Sequence, residues 1–268
     1  MKRTNSAVAN DPYEPALPGK SWEARLPTLK HLFETIEPRY DGLNRRLSLG
    51  LDQRWRRWTA RALAGAPPGP WVDLASGTGD LAVSLALTPG RPRGAALVRL
   101  DLSALLLRAG KVKLDALRRP TVGPLLSPGS AGEMDRLPLR DASVAAVAQG
   151  FALRHCRSYA GFFAELHRVL LPGGRLAIID MRYPRRGLGG ALYRFYFARV
   201  LPRLAALFGG DRRAYEFMVE SVRALPEEGE LLSLLRAAGF AEVVSRPGFL
   251  GSVALLTATK SVAAPAVR

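Results

Sequence analysis

The chain reads as an α/β protein, an open and mostly parallel sheet with helices on both faces. Three observations predict this. Trp71-Val-Asp73 is an apolar run with strand character, a small-residue turn holding Gly77 and Gly79 follows, and Leu81 to Leu87 reads as a helix. Strand-like and helix-like segments then alternate from 71 to 182, which implies parallel strands joined by crossover helices. At 268 residues and 48% apolar composition, the chain suffices for one large domain with additions.

The elements follow in order. Residues 1–20 are polar and Pro-rich and are expected to form a disordered arm. A single domain is expected over 21–260. Within it, 21–66 reads as helices rich in Arg and Trp, with Leu47, Leu51, Trp55 and Trp58 at helical spacing. Ala66-Pro-Pro-Gly-Pro70 breaks the chain before the first strand. Ala95 to Leu100 is the second strand, ending at Asp101, and Leu105 to Leu117 a helix. Val144 to Phe151 is a strand, and Phe162 to Leu170 a helix with Phe162, Phe163 and Leu166 on its apolar face. Pro172-Gly-Gly174 reads as a turn and Leu176 to Ile179 as the next strand. Residues 184–222 break the alternation as a helical, aromatic insertion. A helix from Glu227 to Ala238 and a closing strand pair, Ala241–Val244 and Ser252–Leu256, complete the domain. The tail 261–268 is expected to be disordered.

The strand–turn–helix at 71–87 is where an open α/β sheet holds a cofactor, because glycines let the backbone approach a ligand closely. From Gly77 the frame is G-T-G-D-L-A, with Ala82 at the third position; the Gly/Ala variant tolerates NAD. The flanking acids argue otherwise. Asp73 and Asp80 would repel a pyrophosphate, whereas carboxylates suit the amino group and sulfonium of S-adenosylmethionine. That cofactor is expected ahead of NAD. Asp101 stands about 20 residues past the turn, placed to accept ribose hydroxyls; taken alone it would serve as the N-cap of the following helix.

Composition bounds the partners. The net charge is +16, with 39 Lys plus Arg against 23 Asp plus Glu. Such charge favours an anionic membrane face or nucleic acid, and solvated arginines explain it equally well. No recognisable nucleic-acid module accompanies it, so a nucleic-acid partner is not expected. No run of about 18 uncharged apolar residues is present, and the N-terminus is not a secretory signal. The single Cys156 excludes an intramolecular disulfide, and His31, His155 and His167 show no metal-ligand spacing. A cytoplasmic enzyme without a metal is the default, and peripheral contact at the inner face of the membrane stays open.

With these parts assembled, the chain resembles the ubiquinone/menaquinone biosynthesis C-methyltransferases, a family of class I S-adenosylmethionine-dependent methyltransferases. The resemblance runs from about residue 29 to 260. It rests on Arg39-Tyr-Asp-Gly-Leu-Asn44 with Leu47-Ser-Leu-Gly50 and Trp55-Arg-Arg57, and on Phe151-Ala-Leu-Arg-His155 where the family has F-G-L-R-N. It rests further on Arg168-Val-Leu-Leu-Pro-Gly-Gly-Arg175 and on Pro202, Asp211, Tyr215 and Glu220-Ser221 in the insertion. The chain departs from the family at Val144-Ala145, Ala152, His155, Asp180-Met-Arg182 and Gly251-Ser252. The resemblance implies a Rossmann-like fold with a mostly parallel seven-stranded sheet, N-terminal helices and a helical insertion before the last strands. It implies cofactor contacts from Asp73, Gly77, Thr78, Gly79, Asp101, Gly150 and, at the adenine, Glu133 and Met134.

The implied reaction is C-methylation of a polyprenylated quinol, with demethylmenaquinol favoured over a benzoquinol. Deprotonating a ring hydroxyl makes the neighbouring ring carbon nucleophilic. Arg154 would stabilise the phenolate or activate a water, since guanidinium is a poor direct base; pairing with a nearby acid is its plain structural reading. His155 has a suitable side chain for a base, and Tyr40 stands with it. Tyr40, Asp41 and Asn44 are expected to form a lid over cofactor and quinol, or an ordinary helix–turn boundary. Tyr193 and Tyr215 would house the apolar tail, or simply pack the helices. Arg182, Arg185 and Arg186 face lipid headgroups or solvent. A nucleic-acid methyltransferase and a non-catalytic cofactor-binding module remain as alternatives, and a homodimer stays open.

Overall fold

The computed structural model describes residues 14–16, 19–92, 94–117, 125–126, 134–184 and 188–262. Ser21 opens α1 (Trp22–Leu47), its hydroxyl accepting the Ala24 N–H at 3.4 Å. A left-handed Gly50 separates α1 from α2 (Leu51–Ala62). Then come β1 (Trp71–Leu74), α3 (Asp80–Ala86), β2 (Leu97–Leu100), α4 (Ala104–Asp115) and the short β3 (Leu125–Leu126). β4 (Val144–Gly150), α5 (Tyr159–Val169) and β5 (Leu170–Met181) continue the alternation. The insertion holds α6 (Leu188–Phe195), a π-helical turn at Tyr196–Val200, α7 (Leu201–Leu207) and α8 (Arg212–Arg223). α9 (Glu228–Ala237), β6 (Phe240–Gly248) and β7 (Val253–Lys260) close the chain.

The seven strands form one sheet in the order β3-β2-β1-β4-β5-β7-β6. β1 to β5 are parallel, and β7 runs antiparallel to both β5 and β6. Strand order reverses between β1 and β4, and ligands bind outside the carboxyl ends at such a switch point. Successive residues point to opposite faces, and both faces are covered. Val72, Leu74, Val98 and Leu100 pack with Phe162, Phe163 and Leu166 of α5 and Leu231 and Leu235 of α9. Trp71, Leu97, Ala145 and Ala148 pack with Ala60 of α2 and Leu81 and Leu85 of α3.

Two details differ from the sequence reading. Pro172-Gly-Gly174 is a bulge inside β5 rather than a turn before it, because Val144 pairs with Leu170 while Ala146 already pairs with Arg175. β3 is only two residues long, too short to leave a periodicity in sequence. α1 and the insertion are joined by two apolar clusters, Leu43 with Phe197, Tyr215 and Val219, and Leu29 and Leu32 with Ala214 and Phe217. Among the described residues no helix is long and apolar enough to cross a membrane.

Candidate active site

The glycine turn after β1 is built on a buried hydrogen-bond relay that runs from Arg99 through Ser76 to Asp73. Asp73 and Arg99 are neighbours in register across β1 and β2 and share a face. Arg99 donates Nε to Ser76 Oγ at 3.0 Å, Nη1 to the Leu107 carbonyl at 2.9 Å and Nη2 to the Gly77 carbonyl at 3.0 Å. Ser76 Oγ donates to Asp73 Oδ2 at 2.7 Å. The turn itself takes left-handed backbone at Ala75, Gly77 and Gly79 (φ 53°, 51° and 83°). A Cβ at Gly110 of α4 would stand 2.1 Å from Arg99 Nη2, so only glycine lets α4 approach the guanidinium. Asp73 therefore lies beneath the turn, fully buried, rather than on a cavity wall. Burial pushes its carboxyl up to about 6, against the opposing pull of the Ser76 hydrogen bond and of Arg99 and Arg56.

Asp80, read from the sequence as a carboxylate for the ligand's amino group, is instead engaged by protein cations. It accepts from Lys113 Nζ at 2.8 Å and Gln53 Nε2 at 3.2 Å, and Arg45 lies at 3.5 Å. Burial raises its pKa, but the Lys113 hydrogen bond and the Arg56, Lys113 and Arg45 charges prevail and hold it below the usual value. Asp41 is likewise tied. It accepts from Thr78 Oγ1 at 2.7 Å and pairs with Lys113. The expected open lid residue is thus a latch from α1 to the glycine turn.

Asp101 is left on the wall of a small cavity at the switch point. Its Oδ2 accepts the Gly77 N–H at 2.8 Å and its Oδ1 the Ser103 N–H at 2.9 Å. Ser103, not Asp101, caps α4, accepting the Leu106 N–H at 3.3 Å. Burial raises the Asp101 pKa, partly countered by the two backbone N–H groups. Gly77, Thr78, Asp101, Met134 and Gly150 line this cavity from the sheet side, and Trp22, Lys30 and Phe33 of α1 roof it. Met134 Sδ accepts from Gln149 Nε2 at 3.0 Å; Glu133 lies outside the described residues. Each Asp101 oxygen keeps acceptor capacity for a ligand hydroxyl, and the missing side chain at Gly77, where a Cβ would meet nothing within 4 Å, leaves room beside it. The residues present fit a nucleoside cofactor. The cavity holds about 110 Å³, below the roughly 300–1,000 Å³ of ligand pockets.

A second cavity of about 610 Å³ adjoins the first. Phe33, Phe151 and His155 border both. Asn44, Tyr193 and Tyr215 lie on the wall of the larger one, and Tyr193 stacks on Phe197 at 5.3 Å. The Tyr40 side chain lies outside the described residues. Arg154, also on the wall, donates Nη1 to Asp180 Oδ1 and to the Phe151 carbonyl, each at 2.6 Å. His155 stacks on Phe217 and meets Phe33 edge-on, with both ring nitrogens buried and unpartnered. Burial, then the Arg154 and Arg25 charges, hold its pKa well below the usual value, so the imidazole is neutral. Arg182 turns inward to Glu228 at 2.9 Å instead of facing lipid, and Arg185 and Arg186 lie outside the described residues. Sequence reasoning missed Arg99, Lys113 and Gln53; a charged residue at a core position of an apolar strand was the one legible signal for Arg99.

This sheet order, with a glycine turn at the reversal and a carboxylate closing β2, is that of the class I S-adenosylmethionine-dependent methyltransferases. A solved S-adenosylmethionine-dependent methyltransferase from Thermotoga maritima shares the fold, with a TM-score of 0.54 at 17% identity over 87% of this chain and 100% of that one. The chain belongs to the ubiE/COQ5 methyltransferase family, whose model matches residues 20–260. It is 40% identical over 212 residues to the demethylmenaquinone methyltransferase of Deinococcus radiodurans, covering 79% of this chain and 84% of that protein. It is 38% identical over 231 residues to the ubiquinone/menaquinone biosynthesis C-methyltransferase UbiE of Syntrophotalea carbinolica, covering 86% and 93%. The protein is an enzyme, and its cofactor is S-adenosylmethionine.

Proposed function

We propose that this enzyme methylates a ring carbon of a polyprenylated quinol, with demethylmenaquinol as the foremost acceptor. One observation carries the reading. A large apolar cavity meets the cofactor cavity at Phe33, Phe151 and His155, so a flat ring can reach the methyl group while an isoprenoid tail lies among aromatic side chains. The activities for which the Deinococcus and Syntrophotalea relatives are named agree with it.

S-adenosylmethionine, when bound, supplies an electrophilic methyl group on a sulfonium. Asp101 would hold its ribose, Gly77, Thr78 and Gly79 its methionine part, and Met134, with Glu133, its adenine. His155, neutral and unpartnered, accepts the hydrogen bond of the quinol hydroxyl that keeps its proton. Arg154, immobilised by Asp180, presents a fixed positive charge to the developing phenolate, which a preorganised and dry site makes effective. Tyr193 and Tyr215 flank the tail. α1 and α2 act as a lid, latched through Asp41 and Thr78. The acceptor reaches the site from a membrane, because Leu49, Phe208 and Phe249 both line the larger cavity and stand exposed at its mouth.

The test is methyl transfer from labelled S-adenosylmethionine to reduced demethylmenaquinone in detergent, beside a methoxy-polyprenyl-benzoquinol and bulk RNA. Label on demethylmenaquinol is expected. Label on the benzoquinol alone would move the acceptor to the other ring class, and label on RNA alone would overturn the reading.

A further inference from the structure

Methyl transfer to a ring carbon needs a group that takes the ring hydroxyl's proton. Arg154 accepts no proton and is bound to Asp180. His155 is held neutral by burial so strongly that it takes up a proton poorly. Burial likewise keeps the Tyr193 phenol protonated.

We propose that Asp52 is the general base of the reaction and Arg56 a second cation, in addition to Arg154, for the phenolate oxygen; this rests on the quinol-methyltransferase reading above. Asp52 is only 4% exposed and lies on the wall of the larger cavity, the one carboxylate there among the described residues. Its Oδ1 accepts from Ser48 Oγ at 3.0 Å, its Oδ2 from Gln53 Nε2 at 3.1 Å, and Arg56 Nε stands 3.7 Å away. Each carboxylate oxygen has two acceptor sites, so one is free on either oxygen for a ring hydroxyl. Arg56 lines the same cavity, and its Nε is buried with no hydrogen bond, only the Asp52 charge beside it. The Arg56 guanidinium lies 5.4 Å from the centroid of Phe151, a ring that borders both cavities. The pair therefore sits at the end of the larger cavity that adjoins the cofactor cavity. Gln53 Nε2 also donates to Asp80 Oδ2 at 3.2 Å, which registers the base against the glycine turn.

In the step, the ring O–H breaks and its proton passes to Asp52, while the oxygen's electron density reaches the adjacent ring carbon. That carbon forms its bond to the methyl group as the carbon–sulfur bond breaks, its electron pair staying on sulfur. The ring carbon then loses its own hydrogen as a proton, the ring oxygen recovers a proton from Asp52, and the net product is one proton released to solvent.

The test uses the whole enzyme, short-chain demethylmenaquinol and a ring-halogenated analogue whose hydroxyl is more acidic. Asp52→Asn should lower kcat about 10²- to 10⁴-fold, the usual span for a lost acid–base group, with cofactor affinity and quinol KM kept. The deficit should shrink on the acidic analogue, because a more acidic hydroxyl needs less help. Asp52→Glu should keep intermediate turnover. If Asp52→Asn fails to bind cofactor, Asp52→Glu, which preserves the ion pair, decides: a wild-type kcat there overturns the proposal. A wild-type kcat in Asp52→Asn, or an equal deficit on both quinols, also overturns it and leaves the pair structural. Either result, with the wild type active, spares the quinol reading; a wild type inactive on every quinol ends both.

Discussion

Asp73 faces the buried side of the sheet opposite Arg99, and its carboxyl is pushed from 3.8 up to about 6 by burial. A folded pKa above the unfolded one means that the protonated form is favoured in the fold. Its stabilising contribution is fully present below pH 4 and is lost as pH rises through about 6. The gap between the two values corresponds to roughly 3 kcal/mol. Asp73→Asn cannot lose a proton, so the stability of that variant relative to wild type should climb by about 2–3 kcal/mol between pH 4 and pH 7. Urea unfolding at the two pH values measures this; a constant difference would place the charge of Asp73 in a better-solvated setting. At this scale the sequence was legible where chemistry is local. Gly77, Thr78, Asp101 and Gly150 follow one another along strand ends and meet at one cavity. Asp52, Arg99 and Lys113 were not, because their meaning lies in partners on other elements, Ser76 for Arg99 and Asp80 for Lys113, or in a cavity that only the folded insertion closes.

Among the elements, α1 does the most to couple the two cavities. Its first half roofs the cofactor cavity with Trp22, Lys30 and Phe33, and its second half presents Asn44 and Leu47 to the larger one. Helical periodicity marked the N-terminal segment as helix, but one continuous helix over both cavities depends on packing against α8 that no local pattern encodes. Lys113 of α4 fastens this helix, pairing with Asp41 of α1 and with Asp80 of α3 at a site where its own side chain is 32% exposed. That setting is intermediate between exposed pairs, worth under about 1 kcal/mol, and buried ones, whose breakage costs about 3–5 kcal/mol. Lys113→Ala should therefore weaken cofactor binding by up to about tenfold, about 1.4 kcal/mol, and speed amide exchange in α1 around Asp41. Lys111→Ala, which breaks only the exposed Lys111–Asp115 pair, should leave both unchanged. Calorimetry and hydrogen exchange read the two effects; equal behaviour of the variants would remove the latch.

At the scale of the whole molecule, charge and apolar exposure act together. A net charge of +16 attracts any anionic surface, yet charge alone does not orient the enzyme. We propose that orientation comes from the mouth of the larger cavity, where Leu49 is 87%, Phe249 52% and Phe208 47% exposed. Leu49 also holds a left-handed backbone, φ 53°, in the turn between α1 and α2, a conformation that disfavours a bulky residue. Seated on a bilayer, these side chains would enter the interface and open the cavity to acceptor in the lipid, so the tail need never cross water. Vesicle sedimentation tests this. Binding should be strong to vesicles containing phosphatidylglycerol, weak to phosphatidylcholine alone, and should fall with salt as the Debye length shortens. Replacing Leu49, Phe208 and Phe249 together by Ser should cost about 1 kcal/mol each for partial burial, roughly a hundredfold in partitioning, with cofactor affinity serving as the check on folding. Binding of the triple variant equal to wild type would mean that the positive charge alone holds the enzyme at the surface, and the open mouth would then face water rather than lipid.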